Sequence, residues 1–355
     1  MIQHILFSLV FLVLFYFSLN VNLEFVPSIR ETWVWNKEGR FGTPIPKKGE
    51  NPIQTLNGYK VNGKYFSFAN NRYPDIDTKY LVEFPLLSKG YLEYEKIGDE
   101  VNYYSERGEL FWKKPINSYP RSGLFASPIL YLSGDNNTVF LMDESGNGVG
   151  KGEINGRFLT DYQFDPNNKG AVILFSGGEI YRLDEKGNEL YFLDLSKDIK
   201  NSFFKSLAMS PNGKLVSIHY SLQDKDFILI LDEKGEIILT KEFPGFYPHK
   251  IYFATSNSGS ILFNLPDKLI YFDGDDFLWT KEKNKIGNVF QTVFSAQGLF
   301  AVLNESDLVF YNERGEQMRT KRMSQLELPI RMFASKSENM FYLESKNDLF
   351  QFQIF

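Results

Sequence analysis

The stretch FILILDEKGEIILTKEFPG, Phe227 to Gly245, sets two apolar runs on either side of Asp232-Glu233-Lys234-Gly235, and the same tetrad recurs at Asp184-Glu185-Lys186-Gly187. A carboxylate pair beside a lysine and a glycine has the composition of an acid–base site, and equally that of a hairpin tip. Repetition separates the two readings. Related stretches are YSERGELFWKKPI around Gly108, LMDESGNGVGKGEI around Gly146, YNERGEQMRTKRM around Gly315 and WNKEGRFGTPI around Gly39. YFDGDDFLWTKEK joins them with Asp275 in the place of the glycine. From Gly108 to Gly315 the steps are 38, 41, 48, 40 and 40 residues, the length of a four-stranded propeller blade.

A second turn runs in phase with the first. LAMSPNGKLVSIHY, YQFDPNNKGAVILF, YFATSNSGSILFN, TVFSAQGLFAVL and RMFASKSENMFYL each place a polar turn between apolar runs. Each unit therefore reads as two hairpins. In the tetrad the Asp side chain bonds the backbone two residues on, and Gly takes the left-handed conformation that closes the turn. The strand that follows (FWKKP, ILTKEF, LWTKEK, MRTKRM) is broken by charge, as an outer edge must be to avoid pairing with other chains. Arg314, Arg319, Lys321 and Arg322 thus read as a guarded edge, and DEKG as a turn.

The fold class expected is all-β: a β-propeller of seven four-stranded blades, with six or eight left open by the irregular 69-residue step from Gly39 to Gly108. The C-terminal IRMFASKSENMFYLESKNDLFQFQIF supplies three strands, and a strand near Arg40 to Ile45 is expected to complete that blade and close the ring. Within the wide gap, residues 50–78 read as an insertion, an extra hairpin or long loop projecting from the ring. The propeller is assigned to residues 33–355.

The aromatic residue four places after the turn glycine, Trp112, Tyr191 and Trp279, resembles the tryptophan position of quinoprotein-like propellers. Leu239 matches it less well, and Arg319 and Gly150 depart from it. The SPNGK turn resembles instead those of WD-type and periplasmic translocation-associated propellers, although neither a Gly-His nor a Trp-Asp pair is present. The resemblance covers residues 100–355 and implies a fold rather than an activity; the calcium-ligating residues of quinone-dependent members have no counterpart.

Residues 5–19, ILFSLVFLVLFYFSL, carry no charge, and the first charged side chain is Glu24. Fifteen residues suit a signal-peptide core and fall short of a span, which needs about 20. Including their flanks they make one, and without a basic leader or a good cleavage site residues 1–26 read as an uncleaved transmembrane anchor, the alternative being a removed signal. Either reading places the propeller on the extracytoplasmic side, periplasmic or secreted. The chain has no Cys, a net charge of −5 and three His. That excludes disulfides and thiolate chemistry and argues against nucleic acid, since no basic tract could neutralise a phosphate backbone.

No catalytic constellation, metal site or cofactor is read from the sequence. His219 reads as packed or tunnel-lining. The acidic loops at Asp273 to Asp276, Ser133 to Asn137 and Asp224 to Asp226 lack calcium-loop spacing. What strand and tip logic leave over is Tyr-Pro followed by a basic residue, at Tyr119 with Arg121 and at Tyr247 with His249, and Tyr-Pro again at Tyr73. These, with Phe246, are the candidate binding residues, assigned to inter-blade loops; the bland alternative is that Pro ends a strand and Tyr packs between blades. The expected function is a non-catalytic protein-binding or scaffold module of the cell envelope, its partners envelope proteins and the membrane, the propeller itself monomeric. The alternative is a propeller enzyme or small-ligand sensor using the central pocket.

Overall fold

The computed structural model describes residues 28–36, 56–61, 64–68, 70, 79–87, 90–125, 128–167, 170–283, 293–296, 298–304, 307–323, 326, 327, 330–337 and 339–355. The expected membrane segment, the Gly39 turn and Tyr73 lie outside them. The opening stretch shows why the repeat folds as it does. Phe227 to Leu231 belong to the third strand of a sheet, Lys225–Leu231, covered on both faces. Ile237–Glu242 is the fourth and is largely exposed. Between them Asp232 Oδ1 accepts the N–H groups of Lys234 and Glu236 at 2.9 and 2.8 Å. Gly235 takes φ +83° and donates to the Asp232 carbonyl. The tetrad is a turn with a bulge, as its repetition requires. Asp232→Ala with Glu233→Ala is expected to cost only about 1 kcal/mol, the worth of the lost side-chain bonds, with partner binding unchanged; denaturant unfolding checks it.

Among the described residues seven sheets have four antiparallel strands in meander order. Six are consecutive in the chain, covering residues 80–114, 118–155, 159–194, 202–242, 252–282 and 293–322. The seventh joins Arg331–Ala334, Met340–Glu344 and Asp348–Ile354 to the N-terminal strand Ile29–Asn36. Ile29 faces Ile354 and Trp35 faces Leu349. The closing strand therefore lies upstream of the expected residues 40–45, and the first strand begins before residue 33. Its alternation, with Ile29, Trp33 and Trp35 buried, is partly hidden in the sequence by Arg30 and Glu31.

Apolar clusters lie between neighbouring sheets: Val172, Leu174 and Ile180 of one pack with Leu207, Ile218 and Leu229 of the next. First strands adjoin around the middle, 159–164 beside 202–209, then 252–255, 293–296 and 331–334. This arrangement is a β-propeller. Asp161 Oδ2 and Gln163 Oε1 accept the N–H groups of Leu207 and Met209, at 2.9 and 2.8 Å, stitching two inner strands together.

Residues 50–78 do not project where they are described. Gly58–Val61 pairs with Lys64–Ser67, and Tyr59, Tyr65 and Phe66 are buried among Trp35, Tyr91 and Tyr342. The ribbon is a further wedge between the last sheet and the first. Its aromatic residues, costly to leave in water at roughly 1.5–3 kcal/mol each, draw it in.

The aromatic position after the turn glycine has a definite role. Trp112, Tyr191 and Trp279 each lie against the turn glycine of the following sheet, Gly146, Gly235 and Gly315, where a Cβ would meet the ring at 2.9, 3.0 and 2.5 Å. Val149 occupies this place for Gly187. Asp275 is not the glycine equivalent: Asp273 pairs with Asp276 in a shorter turn, and the left-handed residue is Gly274, φ +60°.

Candidate functional site

A four-stranded meander ends where it began, so every segment that crosses to the next sheet lies at one end of the ring. The turns between strands one and two and between three and four lie at the other. Lys214 and Glu233, from two such turns, meet at 3.9 Å. Ser28 and Phe355 exchange backbone bonds at 3.1 and 2.8 Å, so both described ends of the chain lie at the end of the hairpin tips.

The sequence candidates separate on this frame. Tyr119 and Arg121 are not in a loop: they belong to the inner strand Ser118–Arg121, paired with Ile129–Ser133. Pro120 is tolerated there because an inner strand is a sheet edge and needs no outward N–H. Tyr119 donates to the Lys96 carbonyl at 2.9 Å, and Arg121 to Tyr94 at 3.3 Å. Both are tied into the scaffold. Phe246, Tyr247 and His249 do lie on a crossing segment, between Glu242 and Tyr252. Phe246 is 48% exposed.

Beneath that segment is a buried polar cluster. Lys205 Nζ lies 2.7 Å from Asp226 Oδ1, and His219 Nε2 lies 3.0 Å from Asp226 Oδ2, with all three side chains closed to solvent. Asp226 Oδ2 also accepts the Tyr247 N–H at 2.7 Å, Lys205 donates to the Tyr247 carbonyl, and its ammonium sits 4.9 Å from the Phe246 ring centre. Burial alone would push the Asp226 carboxyl up, but the adjacent His219 ring, with the bonds from Lys205 and the Tyr247 N–H, outweighs it and holds the group below its ordinary range. Burial holds the His219 ring below its usual pKa, against the pull of Asp226. Burial also pushes the Tyr247 hydroxyl up to about 12.

Ser206 Oγ stands 3.5 Å from His219 Nδ1, so serine, histidine and aspartate form a line. It is not a hydrolase relay: Ser206 is 1% exposed, no substrate can reach its hydroxyl, and Asp226 is already neutralised by Lys205. The cluster is a clasp that fixes the loop bearing Phe246.

Phe246 has neighbours of its kind. Phe158, Phe203 and Tyr252, each 45–49% exposed, stand at the starts of consecutive inner strands, on the same end of the ring. Lys250 beside Tyr252 pairs with Asp161 at 2.5 Å. Sequence reasoning found Phe246 and missed the other three, which are visible only once each inner strand is located. It also missed Lys205 and Asp226.

In the middle of the ring is a cavity of about 740 Å³ to which six inner strands, the ribbon and Ser122 to Leu124, just past the inner strand Ser118–Arg121, contribute. Phe253, Phe294 and Met209 supply apolar wall, and Lys60, Glu83 and Arg331 the polar side. Glu83 accepts the N–H and hydroxyl of Ser122, both at 2.9 Å, and burial raises its carboxyl above the usual range. Arg331 is held by Glu344 and by the Tyr59 hydroxyl. Among the described residues no three His, Asp or Glu side chains converge to hold a metal ion. The acidic loop at Ser133 to Asn137 serves as a turn, Asp135 Oδ1 accepting the Ser133 hydroxyl and the Asn137 N–H at 2.5 and 3.1 Å, whereas Asp226 of another is the buried carboxylate of the clasp.

Comparison with solved structures places the chain among β-propellers. It is similar to BamB from Moraxella catarrhalis over 92% of this chain and 98% of that one, with a TM-score of 0.55 at 11% identity. It is similar to the Dos1 propeller over 81% and 85%, with a TM-score of 0.54 at 12% identity. At such identities the likeness is one of fold. No family model matches the sequence, and no curated protein does.

Proposed function

We propose that this protein is an exported, membrane-tethered propeller of seven four-stranded blades that binds another protein of the cell envelope and performs no chemistry. The observation that carries this reading is the exposed aromatic row Phe158, Phe203, Phe246 and Tyr252. Large amphipathic rings held in place are what interfaces use as anchors, and the Lys205–Asp226 clasp holds Phe246 at no further ordering cost on binding. Chain entry at the hairpin tips adds a second argument: a tether before residue 28 leaves the aromatic end of the ring facing outward.

A photoreactive residue at Phe203 or Phe246 in living cells is expected to give a discrete adduct, and one at Lys234, on a hairpin tip, none. Phe203→Ser with Phe246→Ser should lower adduct yield at Tyr252 about tenfold or more while unfolding midpoints stay unchanged. The same yield from the tips as from the row would sink the docking claim. Release of the protein from membranes by salt alone, without detergent, would sink the anchor.

The central cavity favours a second reading, a small-ligand sensor or enzyme, because apolar walls with a few convergent polar groups are the usual form of a ligand site.

A further inference from the structure

We propose, building on the second of these readings, that the central cavity binds a small molecule with an apolar body and a single anionic group. Size permits it, since about 740 Å³ falls within the range that houses drug-sized ligands. The walls divide by character. Phe253 and Phe294 belong to first strands that adjoin each other, and Lys60, Glu83 and Arg331 to the ribbon and the sheets that flank it. A ligand bridging the cavity is met by rings at one end and by charge at the other.

The charges specify the sign. Several lining groups are already matched within the protein: Asp165 with Arg182 at 2.5 Å, Lys346 with Glu327 at 2.9 Å, and Arg331 with Glu344. Glu83 takes two bonds from Ser122 and lies in the fields of Arg121 and Arg331. The Lys60 side chain is different: its ammonium makes no hydrogen bond or ion pair with any described residue. Arg121, which acts on Glu83 without itself lining the cavity, and Arg331, paired with Glu344, offset those two carboxylates and leave the positive charge of Lys60 over. The Arg331 side chain is 61% exposed although it stands inside the ring, so its open surface belongs to the cavity. One carboxylate or sulfonate on Lys60 Nζ, in the cavity that Arg331 also lines, balances the site; a dianion such as a phosphate monoester overshoots it, and a cation meets Lys60 directly.

The test uses anilinonaphthalenesulfonate, an aromatic body with one sulfonate, titrated into the whole protein by fluorescence, beside the uncharged phenylnaphthylamine. The sulfonate is expected to bind more tightly than the neutral dye. Lys60→Gln should weaken the sulfonate about tenfold or more and leave the neutral dye unchanged, and Lys60→Arg should restore binding. Phe294→Ala should weaken both dyes. Phe203→Ser with Phe246→Ser, on the outer face, should change neither, which separates this site from the docking row. Absence of saturable binding, indifference of the sulfonate to Lys60→Gln, or loss of binding in the outer-face variant would overturn the proposal. A partner's peptide displacing the sulfonate competitively would overturn it too, by making the cavity a peptide site.

Discussion

Gly315→Val is expected to unfold the protein at growth temperature, with a loss of about 4 kcal/mol or more. Two costs fall on one atom. Gly315 sits at φ +75°, where a β-branched side chain is an outlier, and a Cβ there would lie 2.5 Å from both Trp279 and Tyr271. Neither ring can give way easily: they stack on one another at 5.6 Å between centres, and the Tyr271 hydroxyl donates to the Glu313 carbonyl in the same turn. Gly274→Ala supplies the control. It shares the left-handed backbone at φ +60° but has open space where the methyl would go, so only the conformational cost of about 1–2 kcal/mol applies. Urea unfolding of both variants reads the difference; equal losses would mean that the ring contact between sheets is not what makes the glycine necessary.

Asp226→Ala is expected to cost about 3–5 kcal/mol, because it strands the buried Lys205 ammonium. It also removes the acceptor for the Tyr247 N–H, so hydrogen exchange at that amide should rise well above that of neighbouring sheets. Lys205→Met with Asp226→Leu should recover much of the loss, since a buried pair replaced by apolar groups is often neutral. If the double change is as damaging as the single one, the ion pair is not the source of the effect. Acid acts in the same direction. The native state keeps the His219 ring neutral below its ordinary 6.5, so the unfolded chain binds that proton first as pH falls. The lowered Asp226 carboxyl contributes stability that is lost at still lower pH. Both make stability fall with acid, and Asp226→Ala should flatten the lower part of that profile.

The features legible in the sequence were those written locally. A turn that needs a left-handed glycine repeats its glycine, and an outer strand that must not aggregate repeats its charge; Lys321 even does double duty, pairing with Glu31 of the closing strand at 2.8 Å. Long-range features were not written this way. GYKVNGKYFSF looks like an insertion until Trp35 and Tyr91, distant in the chain, are seen to cover it. Tyr-Pro-Arg and Tyr-Pro-His are alike as letters, yet one pair lies in a cavity-edge strand and the other on an exposed crossing, because proline is welcome wherever an N–H has no ladder to join. Lys205, His219 and Asp226 come from three strands whose register alone makes them meet. The cavity is still less visible, being a property of all the sheets together.

The pairing of Ile29–Asn36 with Asp348–Ile354 sets a timetable for synthesis. Thr32 bonds Gln351, 319 residues later, so the first strand, with its two tryptophans, has no partner until Asp348–Ile354 has been made. At about 5–20 residues per second it waits on the order of tens of seconds, a bare edge rich in aromatic surface. Until the last strand arrives the ring is an open arc with one incomplete sheet, and that interval is when the nascent chain most needs a holding chaperone.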